Sequence, residues 1–352
     1  MSAATRAFLA MTGARLPIVQ APMANFAGTE LAIAAIGAGG VGSLPCAVLD
    51  SETVGAQAAA VRAAASGPLN LNFFCHDLGP APDETLWRQS LAPFYAKEGV
   101  APPTDSPPLR QPFDAALADA VEAVRPEVVS FHFGLPEDAL LARVRATGAR
   151  IFGNATSLAE AIWLVDHGCD AVIAQGFEAG GHAGHFLSGH HPVGLFALVR
   201  QIVEAVRVPV IAAGGIADAR GAAGAIALGA AAVQIGTAYL RTPEARPSAV
   251  HRKRLETATA DDSVFTNVFT GGLARGLRNR LIEGLGPVSD AAPPFPYASA
   301  ALAPLRAHAE AEGRDDFSPL WAGQGVALAR AEPAAVLTER LGAAALSSGS
   351  FT

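Results

Sequence analysis

At 352 residues, with 51% hydrophobic and only 16% charged side chains, the chain can bury a large core, and one decorated domain is the default organisation. Its formal net charge of −7, with no Lys/Arg run, argues against a nucleic-acid partner. No uninterrupted apolar run of about 18 residues argues for a membrane span, so a small-molecule ligand fits better.

Three cysteines, Cys46, Cys75 and Cys169, stand far apart without a CxxC pair, which speaks against a disulfide framework and a thiolate metal site. With no apolar signal core behind a basic flank, the chain reads as cytoplasmic.

In chain order, short β-rich runs alternate with alanine-rich helical stretches. A strand at 17–20 precedes a helix over 29–37, and a strand at 40–43 precedes a helix over 51–65. The third strand, 69–74, is followed by a Pro-rich insertion at about 76–112. The helix after it, 113–124, carries a Leu117, Val121, Val124 stripe away from Asp114, Asp119 and Glu122. Strands at 128–133, 150–154 and 171–174 are separated by helices over 137–147 and 157–167, which Gly148 and Gly168 close. A helix over 195–206, a strand at 209–212, a helix over 218–228 and a strand at 232–235 complete eight βα units. Such alternation demands parallel pairing, and eight units match a (β/α)8 TIM barrel better than an open sheet. Beyond Thr237 the rhythm stops. Arg-rich helical sequence to about residue 283, a Pro-rich stretch over 287–296 and a helix near 332–341 follow. This C-terminal segment, 241–352, is expected to cap the mouth of a barrel formed by 1–240.

In this fold chemistry lies at the C-terminal ends of the strands. After the seventh strand comes Ala213-Gly214-Gly215-Ile216, and after the eighth Gly236-Thr237, where barrels commonly hold a phosphate on backbone N–H groups. Gln20-Ala21-Pro22-Met23 after the first strand and Asn72 in the third suit the edge of a flat heterocycle such as a flavin. The strongest local signal is the loop 175–185, QGFEAGGHAGH, directly after an apolar strand. It mounts His182 as a general base near neutral pH, with Gln175 beside it. His132, ending the fourth strand, points to the same mouth, either as a substrate contact or as a hydrogen-bonded structural histidine. His182, His185, His190 and His191 form a histidine-rich tract, but neither HxxxH on a helix nor a carboxylate partner accompanies them, so no metal is expected.

Together, residues 17–24, Asn72, the 175–184 loop, Ala213-Gly214-Gly215-Ile216, Gln234-Ile235-Gly236-Thr237 and the C-terminal Leu320-Trp321-Ala322-Gly323-Gln324-Gly325 resemble the nitronate monooxygenase family. That resemblance implies non-covalent FMN and oxidation of an alkyl nitronate, such as propionate 3-nitronate, by dioxygen to a carbonyl compound and nitrite. It carries flavin contacts onto Asn72, Gln175, Gly180, Gly215, Gln234, Ile235, Gly236 and Thr237, and lays Pro22 and Met23 along the ring. His182 matches the catalytic base. Family members place a tyrosine or lysine from the C-terminal segment near substrate. Here Phe295-Pro296-Tyr297 and Ala303-Pro304-Leu305-Arg306 depart from that pattern, so the resemblance fixes flavin binding more firmly than substrate identity; Tyr297 and His132 are the candidate substrate contacts.

Two other readings compete. An NADH-dependent flavin reductase of the same barrel type, acting on quinones or enoyl-acyl-carrier-protein, would share the phosphate loops, and no GxGxxG follows a strand to decide the matter. A non-catalytic flavin or phosphate carrier would have no need of His182 on such a loop.

Overall fold

Among the described residues, 1–104, 109–187 and 189–348 of a computed structural model, eight short runs pair in parallel. Residues 105–108 of the expected insertion lie outside them. The strands are β1 (Ile18–Gln20), β2 (Gly42–Pro45), β3 (Leu69–Phe74), β4 (Val128–His132), β5 (Arg150–Ala155) and β6 (Ala171–Gln175). After a two-residue strand outside the barrel, β7 (Gly181–His182), come β8 (Val210–Ala213) and β9 (Ala232–Ile235). Their order is β1-β9-β8-β6-β5-β4-β3-β2, and a bridge between Val19 and Val41 closes the ring. This is the (β/α)8 barrel the alternation predicts.

Helix α1 (Ala3–Thr12) precedes the barrel. α2 (Thr29–Ala38) and α3 (Ser51–Ala64) follow β1 and β2, and α4 (Thr85–Glu98) lies in the insertion. α5 (Ala115–Val124), α6 (Asp138–Ala146), α7 (Leu158–Asp166), α8 (Leu195–Ala205) and α9 (Ala219–Ala227) continue the outer ring. Several start on a side chain that satisfies an orphan N–H: Asp50 accepts from Thr53, Asp114 from Leu117, and Asp218 from Gly221, all within 2.9 Å.

The two-residue pleat sorts the strand side chains. Ile18, Val129, Ile151 and Val210 pack outward under the helices. Val19, Val128, Phe152 and Ile211 point inward, where Phe8 of α1 plugs the bottom. One layer higher, the inward positions become polar: Asn72, His132, Asn154, Gln175 and Gln234 open onto the mouth.

Beyond β9 the chain forms α10 (Thr237–Leu240), α11 (Ala249–Thr257), an antiparallel pair β10 (Ser263–Thr266) and β11 (Ala274–Leu277), then α12 (Arg280–Leu285) and α13 (Ala303–Ala311). The expectation of helix throughout 238–283 is therefore corrected. Val264-Phe265-Thr266 favour extended backbone, and Gly271-Gly272 allow the chain to turn back between the strands. Helix α14 (Ala334–Ser347) returns to the barrel and packs between α9 and α2, supplying the eighth helix of the ring.

The insertion and the C-terminal segment build the cap together. Trp87, Leu91 and Tyr95 of α4 share a core with Phe269, Leu281, Leu302, Leu305 and Phe317. Trp87 Nε1 donates to Ala298 O at 3.1 Å and Tyr95 OH donates to Ala301 O. The three cysteines are free thiols, and among the described residues no helix is long and apolar enough to cross a membrane. Because Trp87 is fully buried and its N–H is satisfied, Trp87→Ala should destabilise the fold by about 3–5 kcal/mol. Denaturant unfolding checks this; an unchanged midpoint would mean that the insertion is not part of the cap's core.

Candidate active site

The barrel mouth and the cap enclose a cavity of about 1060 Å³. Strand ends supply its polar floor, and Thr270, Phe295 and Trp321 of the cap close over it.

His182 stands on this wall because its loop is tied from several sides. Gln175 Nε2 donates to His182 O at 2.8 Å, while Gln175 Oε1 accepts from Asn154 Nδ2 at 3.0 Å and from Gly184 N at 2.9 Å. Strand β7 pairs antiparallel with β11, His182 opposite Ala274 and Gly181 opposite Arg275. Arg275, buried between the rings of Phe177 and Phe265 at 4.3 and 4.4 Å, donates from Nε to Phe177 O at 3.0 Å. The imidazole Nε2 lies 2.9 Å from Thr270 Oγ1. The Thr270 hydroxyl also reaches Gly272 O at 3.4 Å, an arrangement compatible with the tautomer in which Nε2–H donates to Thr270 and Nδ1 keeps the lone pair.

Most of the predicted residues converge here. Pro22, Met23, Asn72, Gly180 and Gly215 line the cavity, as do Gln234, Gly236, Thr237 and His132. Several are engaged within the protein. Asn72 Nδ2 donates to Ser130 Oγ at 2.9 Å, and Thr237 Oγ1 accepts from Gly323 N at 2.9 Å. The amide of Gln175 is spent largely on the loop, with one N–H left for a ligand.

Two expected contacts do not reach the cavity. The pleat that turns Gln234 inward turns Ile235 outward, where it is fully buried in the core under the helices; its carbonyl accepts from Ala21 N at 2.9 Å. Tyr297 is buried in the cap and its hydroxyl donates to Leu78 O at 3.0 Å, tying the cap to the insertion. Its neighbour Phe295 faces the cavity instead.

Sequence reasoning missed Phe74, Arg110, Thr270 and Phe295. Phe74 was within reach of the pleat, two residues beyond Asn72 on the same face. Arg110, inside the Pro-rich insertion, carried no local signal.

A model of the nitronate monooxygenase family matches residues 6–343. The chain belongs to that family. It is 39% identical over 343 residues to nitronate monooxygenase of Paraburkholderia phytofirmans, covering 96% of this chain and 94% of that one. The Pseudomonas aeruginosa nitronate monooxygenase is also 39% identical, over 96% of this chain and 98% of its own. Among solved structures, nitroalkane oxidase from Streptomyces ansochromogenes superposes with a TM-score of 0.88 at 34% identity, covering 97% of this chain and 98% of that chain. FabK from Thermotoga maritima gives 0.72 at 25% identity, over 96% and 95%. As a nitronate monooxygenase family member, the protein is a flavin-dependent oxidoreductase enzyme.

In this family member the cap seats on the barrel loops backbone to backbone. A Cβ on Gly180 would lie 2.5 Å from Gly323 N, and one on Gly323 would lie 2.6 Å from Glu178 O, so neither position admits a side chain.

The site histidines are held neutral. Burial pushes His132 down to about 4, partly offset by a hydrogen bond to the His182 main chain. Burial, with Arg110, His132 and His76 nearby, holds His182 well below the usual imidazole value. His251 of α11, buried edge-on to Phe26, is likewise pushed down to about 4. Each is protonated near 6.5 in the unfolded chain, so between those values the unfolded state binds more protons than the native one. The stability these groups confer is therefore complete above about pH 6.5 and lost as pH falls toward 4. Thermal unfolding midpoints should hold above neutrality and decline through that window; a midpoint flat from pH 7 to about 4.5 would contradict the neutral burial of these rings.

Proposed function

We propose that the protein uses bound FMN and dioxygen to oxidise alkyl nitronates, propionate 3-nitronate among them, to a carbonyl compound and nitrite. Neutral nitroalkanes enter the same reaction once His182 has removed the proton beside the nitro group. The observation that carries this reading is His182 itself: an imidazole on the cavity wall, held below its usual pKa by burial, with Nε2 hydrogen-bonded to Thr270, which in the Nε2–H tautomer leaves Nδ1 to take the proton. Similarity to proteins named nitronate monooxygenase and nitroalkane oxidase supports the same chemistry.

The residues present fit FMN. Gln234 Oε1 is buried at the cavity wall without a hydrogen-bond partner among the described residues, an acceptor that a flavin ring N–H would satisfy. Gly215, at φ +68, holds a backbone conformation that side chains rarely adopt, and with Gly214, Gly236 and Thr237 it would hold the phosphate. Asn72, the remaining N–H of Gln175 and the Pro22-Met23 turn would border the ring. FMN, when bound, supplies a two-electron acceptor that dioxygen can reoxidise. The protein's share is to accept the α proton at His182 Nδ1, keep that ring in one orientation through Thr270, and exclude water with Phe74, Phe295 and Trp321.

His182→Asn should keep the flavin spectrum while turnover of nitroethane falls roughly 10²–10⁴-fold, the usual worth of a general base. Ethyl nitronate, already deprotonated, should be oxidised much closer to the native rate. Equal losses on the two substrates would remove His182 from proton transfer.

A further inference from the structure

Most charged side chains on the cavity wall are already committed. Asp50 and Asp114 cap helices, and Arg306 pairs with Glu310 at 2.8 Å. Arg110 differs. Its guanidinium lies over the rings of Phe74 at 5.2 Å and Phe295 at 5.6 Å, and it has no carboxylate partner among the described residues. Its backbone carbonyl accepts from His76 Nε2 at 3.1 Å, which fixes the chain at that point. Burial lowers the guanidinium only to about 10, so it is charged at working pH. Aromatic faces offset part of the cost of a desolvated cation, but its N–H donors have no acceptor among the described residues.

The same two rings flank His182, Phe295 at 5.0 Å and Phe74 at 6.3 Å between ring centroids. A small molecule in this box meets the imidazole and the guanidinium at once. We propose that Arg110 is the residue that recognises the substrate's anion, binding the planar O–N–O group of a nitronate through its N–H fork. This assignment rests on the nitronate reading above and adds the group that selects charge. A guanidinium matches such a three-atom anion bidentately. When the substrate is a neutral nitroalkane, the C–H proton passes to His182 and the bonding pair moves into the C=N bond. The negative charge then develops on the nitro oxygens, beside Arg110, which stabilises it as it forms.

The test uses the purified flavin-containing protein and a ligand that is not turned over. Calorimetric titration compares propanoate, a planar anion of similar shape, with propanamide, its neutral counterpart. Arg110→Met should weaken propanoate roughly ten- to a hundredfold, the worth of hydrogen bonds to a charged group, and leave propanamide unchanged. Arg110→Lys, which keeps the charge but not the fork, should recover part of the loss. Removing the charge should also raise the apparent pKa of the nitroalkane kcat/KM profile, because Arg110 faces His182 together with His132 and His76. A loosened cap would also raise it by rehydrating the ring, so the shift counts for the charge only where Arg110→Lys, which keeps that charge, restores the native profile. Unchanged propanoate affinity in Arg110→Met, or no preference of the native protein for propanoate over propanamide, would overturn the assignment. Binding of propanoate through Arg110 without nitronate oxidation would leave the anion site standing and refute the reaction instead.

Discussion

Two residues of antiparallel pairing, Gly181 with Arg275 and His182 with Ala274, join the barrel to its cap and fix where the imidazole stands. A loop of this glycine content would otherwise carry its histidine loosely. The clamp works because the barrel reaches the loop from below and the cap from above. Gln175 holds the His182 carbonyl, and the Arg275 side chain threads between two rings to hold Phe177. The same closeness forbids side chains at Gly180 and Gly323, where the two backbones touch. Cap and barrel are therefore halves of one site, each needed to aim the other.

The electrostatics follow from that enclosure. Burial strips the histidines of their charge, which leaves His182 able to accept a proton but not to act as a counter-ion. The cation is supplied instead by Arg110, whose guanidinium survives burial that silences an imidazole. In the proposed reaction, separating the base from the positive charge would let the cavity take a proton from a neutral molecule and hold the resulting anion.

Much of this architecture was legible in the sequence because it rests on period. The βα alternation placed seven of the eight strands to within one residue; at β2 the glycine-rich approach shifted the strand two residues late. The 175–184 loop was legible because a polar glycine-rich segment after an apolar strand has few structural uses. Strict use of the pleat would also have separated Gln234 from Ile235 and added Phe74. What stayed hidden depends on contacts between distant segments. Helix α1 as a barrel plug, α4 docking on the cap, the β10–β11 hairpin beneath its arginines, and Phe295 rather than Tyr297 at the cavity are all decided by tertiary packing. Arg110 is the clearest case, a lone charge in a proline-rich insertion whose meaning appears only once its neighbours are seen.

Oxidation of nitronates by dioxygen in this cavity is the proposal on which the roles of His182 and Arg110 depend. The most direct measurement adds propionate 3-nitronate to the purified protein in air and follows oxygen uptake and nitrite together with the visible spectrum. A flavin spectrum is expected, with oxygen consumed and nitrite released as the nitronate disappears. A flavin spectrum with no nitrite, and rapid anaerobic bleaching by NADH, would contradict it and make the protein a reductase built on the same barrel.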